Sequence, residues 1–204
     1  YPLLLSKPQL AIIGGGGTGL AAAVSALENG AKKVVILEKL GYLGGSTNVS
    51  GGALNAVDDK RQKAQGIDDS VQKFYEATMK GGHNVGNPEL VKYLTDNAYP
   101  TVKWMEKEGV VFRDKIGAAT ASLGQRSHYG KKPAGYAYTS VFENKLKEYG
   151  DRVVVLTETP ATKLIMDKSG RVIGVSGLRA GKQPVTVMAP SVILATGGFG
   201  ANVK

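Results

Sequence analysis

Four apolar residues, Leu10 to Ile13, stand between polar Gln9 and a glycine-rich stretch, and so short a run bounded by turn residues predicts a buried strand. After the glycines, Leu20, Val24 and Leu27 recur at helical spacing, and Asn29 with Gly30 marks where that helix ends. KVVIL, Lys33 to Leu37, predicts the next strand, which stops at Glu38. Strand, turn, helix and strand in this order make a βαβ unit.

From Asp58 to about Tyr149 the pattern is helical. Val71, Phe74, Tyr75 and Thr78 share one side of a helix that begins at Ser70. Asn87 offers a capping side chain and Pro88 suits the first helical position, ahead of Leu90, Val91, Leu94 and Ala98. Tyr99-Pro100 is expected to kink or break this helix, with Val102 to Glu108 resuming it as far as Gly109. Trp104 and Met105 on its amphipathic face are expected in the core. Another helix is predicted over Tyr138 to Tyr149, ending at Gly150.

Short strands follow: RVVVL (Arg152 to Leu156), ATKLIM (Ala161 to Met166), RVIGVSGL (Arg171 to Leu178) and PVTVMA (Pro184 to Ala189). The polar turns DKSG and RAGK join the last three as a β-meander. A last apolar strand, SVILA, leads into TGGFGANVK, and no internal repeat is evident. The fold class is α/β: a Rossmann-like dinucleotide-binding domain with a helical insertion and a three-stranded meander. Residues 10–57 form the βαβ unit and the loop after it, 58–150 the insertion, and 151–204 the meander and return strand, all within one domain over 1–204.

Gly14, Gly16 and Gly19 give G-x-G-x-x-G between a strand and a helix, the context in which that spacing carries weight. The first glycine permits the tight turn, the second lets a pyrophosphate approach the backbone, and the third lets helix and strand pack closely. Glu38, ending the second strand, is placed to accept hydrogen bonds from ribose hydroxyls and argues against a 2′-phosphate. A second small-residue cluster, LGGSTNVSGGALNA from Leu43 to Ala56, follows Glu38 with no helix expected between. A plain NAD domain would continue with a crossover helix, so this cluster favours the longer flavin nucleotide; the competing reading is a mobile loop.

The chain has 204 residues, 42% of them hydrophobic, enough for a packed core. It has no cysteine, which excludes disulfides, thiolate metal sites and covalent haem attachment and leaves any redox chemistry to a cofactor. No metal site is expected. The net charge of +9 is spread over scattered lysines without a basic run, which fits an ordinary solvated surface, or a field that attracts a diphosphate, better than nucleic acid. No apolar run is long enough to span a bilayer, and YPLLLSKP lacks the basic flank and cleavage site of a signal peptide. The first residue is not Met, so the chain is expected to begin after processing or at a fragment boundary.

IIGGGGTGLAAA, ILEKLGYLGGST, SGGALNA, MKGGHNVGNPELV and VILATGGFGAN together resemble the FAD-dependent fumarate reductase and flavocytochrome c type flavoproteins. That group includes urocanate reductases and, more distantly, succinate dehydrogenase flavoprotein subunits. The resemblance implies that Gly14, Gly16, Thr18 and Gly19 hold the pyrophosphate and Glu38 the adenosine ribose. It implies that Ser46, Thr47, Gly51 and Gly52 line the pyrophosphate and flavin, that Ala161 offers its backbone to the adenine, and that Thr196 and Gly197 close the site. Where the membrane-bound relatives carry a histidine bonded to the flavin, Ser46 stands here, so the FAD is expected to be held without a covalent bond.

The chemistry implied is hydride transfer from reduced FAD to the β-carbon of an α,β-unsaturated carboxylate such as fumarate, with an acid delivering the proton. The relatives place the substrate-clamping residues and the proton donor in a capping domain beyond the region matched, so the catalytic residues are expected past Lys204 and this part alone is expected to be inactive. His128, in GQRSHYGKK, reads either as a proton donor or, preferably, as a hydrogen-bonded loop residue; His83 reads the same way. Two other functions stay open: a stand-alone FAD-binding or electron-transfer module, and the first half of another flavin oxidoreductase of ketosteroid dehydrogenase or aspartate oxidase type. The electron donor is not indicated. A soluble protein of the bacterial cytoplasm or periplasm is the expectation.

Overall fold

The structure is a computed structural model that describes residues 2–120 and 124–200. Its first half runs β1 (Leu3–Leu5), β2 (Leu10–Ile13), α1 (Gly17–Glu28), β3 (Val34–Leu37), α2 (Gly45–Val49), β4 (Leu54–Asn55), α3 (Asp59–Lys63), α4 (Val71–Gly81) and α5 (Pro88–Lys107). Its second half runs β5 (Ser127–His128), α6 (Tyr136–Glu148), β6 (Val153–Leu156), β7 (Ala161–Met166), β8 (Val172–Arg179), β9 (Gln183–Met188) and β10 (Ser191–Leu194). The chain divides into two compact units, one of residues 1–48 with 139–204 and the other of residues 49–138.

In the first unit every residue of β2 and β3 is buried, because the parallel sheet they form is covered on both faces. The strand order is β10-β2-β3-β6, with Leu10 to Ile13 paired in register with Val34 to Leu37. Alternate side chains go to opposite layers. Ala11, Ile13, Val35 and Leu37 pack with Leu156 against Val175, Val185 and Val187 of a second sheet. Helix α1, which buries Leu20, Ala23, Val24 and Leu27, contacts β2 and β3. Each Val, Leu or Ile side chain so taken out of water contributes about 1.5–3 kcal/mol before the entropy of ordering is set against it.

The second sheet has the order β1-β9-β8-β7, so the expected three-stranded meander is extended by a fourth strand. β1 pairs parallel with β9, Leu3 and Leu5 pack on the core, and Leu4 points outward with 61% of its surface exposed. Three consecutive leucines carry no alternation, which is why the strand was not expected.

In the second unit, Ser70 caps α4 by accepting from the Lys73 amide at 3.1 Å, and Asn87 caps α5 by accepting from Glu89 and Leu90 at 2.9 and 3.2 Å. Of the kink or break expected at Pro100, the break does not occur: α5 is one helix of 20 residues with the proline inside it. Pro100 lies on the exposed side, where water can take the hydrogen bond that the missing N–H leaves open at Asp96, and Ala98, Val102 and Met105 hold the buried side. Trp104 is half-buried. α6 begins at Tyr136 rather than Tyr138 and ends at Glu148. Among the described residues no helix is long and apolar enough to cross a membrane.

Candidate functional site

After Ile13 the chain must turn sharply to start α1. Gly14 makes that turn at φ +106°, a left-handed conformation that side chains disfavour, and its amide donates to the Leu37 carbonyl at 2.8 Å. A Cβ on Gly14 would overlap the Ala195 carbonyl, and one on Gly19 would overlap the carbonyl oxygen of Gly14. These two glycines let backbone pack on backbone. Gly16, the N-cap of α1, is different: a Cβ there would meet nothing nearer than the Gly44 carbonyl oxygen, 3.9 Å away. The site therefore has a bare, open cradle at the N-terminus of a 12-residue helix, where amide groups and the helix dipole favour an anion.

Glu38 is 95% buried beside this turn, with a relative exposure of 5%. One carboxylate oxygen accepts from the Gly15 amide at 2.7 Å and the other from the Leu40 amide at 2.8 Å. An ionised carboxylate has about four acceptor positions, so both oxygens keep capacity for further donors while the group stays aimed. The Glu38 carbonyl accepts from the Thr159 amide at 2.8 Å, tying the end of β3 to the segment that leads into β7 at Ala161. That segment is bent at Glu158, φ +51°, whose amide donates to Leu40 and whose carbonyl accepts from Ala180.

The second small-residue cluster packs back onto the first. The Gly44 amide donates to the Gly15 carbonyl at 2.8 Å, and Gly44 and Gly16 form an isolated parallel bridge. The chain then forms the short helix α2, where no helix had been expected. The Thr47 hydroxyl oxygen accepts from the Gly17 amide at 3.2 Å, while Ser46 and Thr18 are exposed. On the other side, the Ala195 amide donates to Ile13 at 2.8 Å and carries Thr196 up to Gly14. Gly197 follows, exposed at φ +77°.

Gly51 and Gly52 belong to the other unit. Gly51 is exposed; Gly52, at φ +72°, is buried, and a Cβ on it would lie 2.6 Å from the carbonyl carbon of Ala134. Its carbonyl accepts from the Tyr138 hydroxyl, and burial pushes that phenol up to about 12, so it remains a donor.

His128 is fully buried in β5, opposite Leu54, with Nε2 3.3 Å from an Asp58 carboxylate oxygen and Nδ1 3.2 Å from the Arg126 carbonyl. Burial pushes the Asp58 carboxyl up, but hydrogen bonds from the Arg61 amide, the Arg61 guanidinium and His128 outweigh it and hold the group below its ordinary value. Arg61 also reaches Glu106 at 2.6 Å. His83 is exposed just past α4 at φ +52°. Among the described residues no three His, Cys, Asp or Glu side chains gather as metal ligands.

The expected positions Gly14, Gly16, Thr18, Gly19, Glu38, Ser46, Thr47 and Thr196 thus gather around the start of α1, with the Ala161 segment tied to Glu38. Gly15, Gly44, Asn48 and Thr159 complete that frame and were not expected. Gly15 and Gly44 lie among other glycines, and the fingerprint spacing singles out neither. Asn48 acts through side-chain bonds to the nearby Leu43 carbonyl and the distant Thr139 hydroxyl, and Thr159 through its backbone amide on the Glu38 carbonyl, pairings that one sequence does not announce.

The sequence pattern of a family described as FAD binding domain matches residues 9–204. The NADH:fumarate oxidoreductase of Klebsiella pneumoniae (strain 342) is 34% identical over 196 residues, covering 95% of this chain and 21% of that protein. The urocanate reductase of Eggerthella lenta is 35% identical over 205 residues, covering 98% of this chain and 33% of that protein. The solved open conformation of a flavocytochrome c3 fumarate reductase has a TM-score of 0.89 at 29% identity, covering 97% of this chain and 35% of that one. The chain spans about a fifth to a third of the length of these relatives.

Proposed function

The chain belongs to the FAD binding domain family, and from that premise we propose that it is the FAD-holding part of a flavin-dependent reductase acting on an α,β-unsaturated carboxylate such as fumarate. Its similarity to proteins named for reducing fumarate and urocanate supports the substrate class. The observation that carries the cofactor assignment is the cradle at Gly16, empty of side chain where Gly14 and Gly19 are packed shut.

The residues present fit the group. Gly14, Gly16, Thr18 and Gly19 present the turn and the first amides of α1 to the diphosphate, with Ser46 and Thr47 on the facing loop. Glu38, fixed by two amides, accepts from the ribose hydroxyls, and the backbone at Ala161 serves the adenine. Thr196 and Gly197 close the same edge. A bound, reduced flavin supplies a hydride to an electron-poor alkene carbon. This chain's share of the work is to hold and orient the nucleotide, and its share of specificity is to exclude a 2′-phosphate, which the buried carboxylate of Glu38 would repel. The grip on the nucleotide comes from the turn, helix start and loop within residues 10–57, with Ala161, Thr196 and Gly197 contributed from later in the chain. With Ser46 offering no imidazole, the cofactor is held non-covalently.

The absorption spectrum of the purified protein tests this reading. A flavin band is expected, and acid precipitation is expected to release the pigment into the supernatant. A colourless Gly16→Val protein that still folds is the expected companion result. Colour retained in the acid pellet overturns the non-covalent assignment, and full flavin binding by Gly16→Val overturns the cradle. Turnover of fumarate, urocanate or acrylate by the full-length, flavin-loaded enzyme tests the substrate class, since this part alone is expected to be inactive.

A further inference from the structure

Facing the cradle is a turn with little of its own to hold it. Gly44 and Gly45 are both left-handed, at φ +97° and +49°, and neither brings a side chain to fix that conformation. Yet the turn must be placed accurately, since the Gly44 amide bonds to the Gly15 carbonyl and the Gly44 carbonyl oxygen marks the far side of the open space above Gly16.

The side chain of Asn48 occupies the volume where a Gly44 side chain would project, so closely that a Cβ there would overlap its amide group. Asn48 Nδ2 donates to the Leu43 carbonyl at 3.0 Å, bracing the chain just before the turn, and its backbone amide donates to the Gly44 carbonyl at 3.3 Å. Its Oδ1 accepts from the hydroxyl of Thr139, a fully buried residue of α6 that opens the second segment of the same unit, 91 positions along the chain. The Leu43 carbonyl decides which way round the amide lies, because a carbonyl only accepts and must face Nδ2, which leaves Oδ1 to accept from the Thr139 hydroxyl. The preceding residue, Thr47, then has its hydroxyl at the Gly17 amide.

From these contacts we infer that Asn48 and Thr139 are positioning residues for the diphosphate half of the cofactor: a two-residue strut that sets the distance between the Gly44–Gly45 turn and the start of α1. The inference rests on the FAD-holding reading. Neither side chain needs to touch the nucleotide; they act through Gly44 and Thr47. Because the strut works at the diphosphate end, its loss weakens ADP and FAD alike, which a general loss of stability in folded protein would not do.

The test is titration of FAD and, separately, ADP into the cofactor-stripped protein, at a temperature where each variant is folded by circular dichroism. Thr139→Val removes the donor at constant shape and is expected to weaken both nucleotides roughly tenfold, the factor that corresponds to one net hydrogen bond. Thr139→Ser keeps the hydroxyl and is expected to stay within about twofold of the parent. If Thr139→Val does not fold, Asn48→Asp carries the test: it can still accept from Thr139 but cannot donate to Leu43, and both nucleotides should weaken. Parental affinity for both nucleotides in Thr139→Val or Asn48→Asp overturns the strut, as does weakened FAD with unchanged ADP. If Gly16→Val loses both nucleotides while Thr139→Val matches the parent, only the strut falls. If the parent itself binds neither, the FAD-holding reading falls with it.

Discussion

A methyl group added at Gly16 enters open space, whereas one added at Gly19 meets the carbonyl oxygen of Gly14. The same substitution should therefore do opposite things at the two positions. Gly16→Ala, in an ordinary extended conformation at φ −76°, is expected to leave the stability of the cofactor-free protein within about 0.5 kcal/mol while lowering FAD affinity. Gly19→Ala is expected to cost about 1–3 kcal/mol of stability by overpacking, read as a lower midpoint in urea. Equal stability losses in the two variants would contradict the assignment of roles. Glu38 adds a third case. Both of its oxygens accept from amides, so Glu38→Gln turns an NH₂ group toward an N–H donor, and the unmade bond should cost about 1–3 kcal/mol. The packing of Gly14 and Gly19 and the open space at Gly16 were legible from spacing, because G-x-G-x-x-G after a strand fixes which glycine meets backbone. Asn48 was not, because its partner Thr139 lies 91 positions along the chain.

At the level of elements, local signals held wherever the ends of an element are set by its own residues. Asn87 and Ser70 cap their helices by side-chain chemistry visible in the sequence, and β2, β3 and the meander strands follow apolar runs between turn residues. Pro100 is the instructive exception. A helix-interior proline costs about 3 kcal/mol, enough to predict a break, yet α5 passes through it because Ala98, Val102 and Met105 are buried on one continuous face. The residue then carries a standing penalty at an exposed position. Pro100→Ala is expected to raise the thermal midpoint, with a gain of about 1–2 kcal/mol after the greater freedom of the unfolded chain is counted. An unchanged or lower midpoint would mean that the missing N–H and its freed carbonyl are already matched by other contacts. β1 shows the converse limit: its pairing partner, Val185 to Val187, is supplied by the opposite end of the chain, and no local pattern announces it.

Across the whole molecule the two units are held by different physics, and that difference should appear as two different responses. The first is a layered apolar core, Ile13, Leu37, Val175 and Val187 among it, with the cradle and Glu38 at the edge of its sheet. A cofactor that binds only the folded form stabilises this unit by an amount that grows with the logarithm of its free concentration. The second unit has a buried polar cluster in which Asp58 meets Arg61 and His128, and Arg61 in turn meets Glu106. Burial pushes the carboxyls of Asp58 and Glu106 up, but their hydrogen bonds to Arg61, with those of His128 and Lys103, outweigh it and hold both below their ordinary values of 3.8 and 4.5. A depressed carboxyl takes up its proton less readily in the folded than in the unfolded chain. Its stabilisation is therefore complete above the unfolded value and is lost as pH falls through the folded one. Hydrogen exchange should separate the two effects. FAD is expected to slow exchange around Gly15, Gly17, Leu40 and Gly44, whereas lowering the pH from about 6 to about 3, with rates corrected for intrinsic chemistry, should release the amides of Ala56, Arg61 and Ser127 first. Asp58→Asn should flatten that acid response without changing the protection FAD confers. Acid opening that began at the glycine turn instead, or that survived Asp58→Asn unchanged, would place the pH-sensitive element outside the Asp58 cluster.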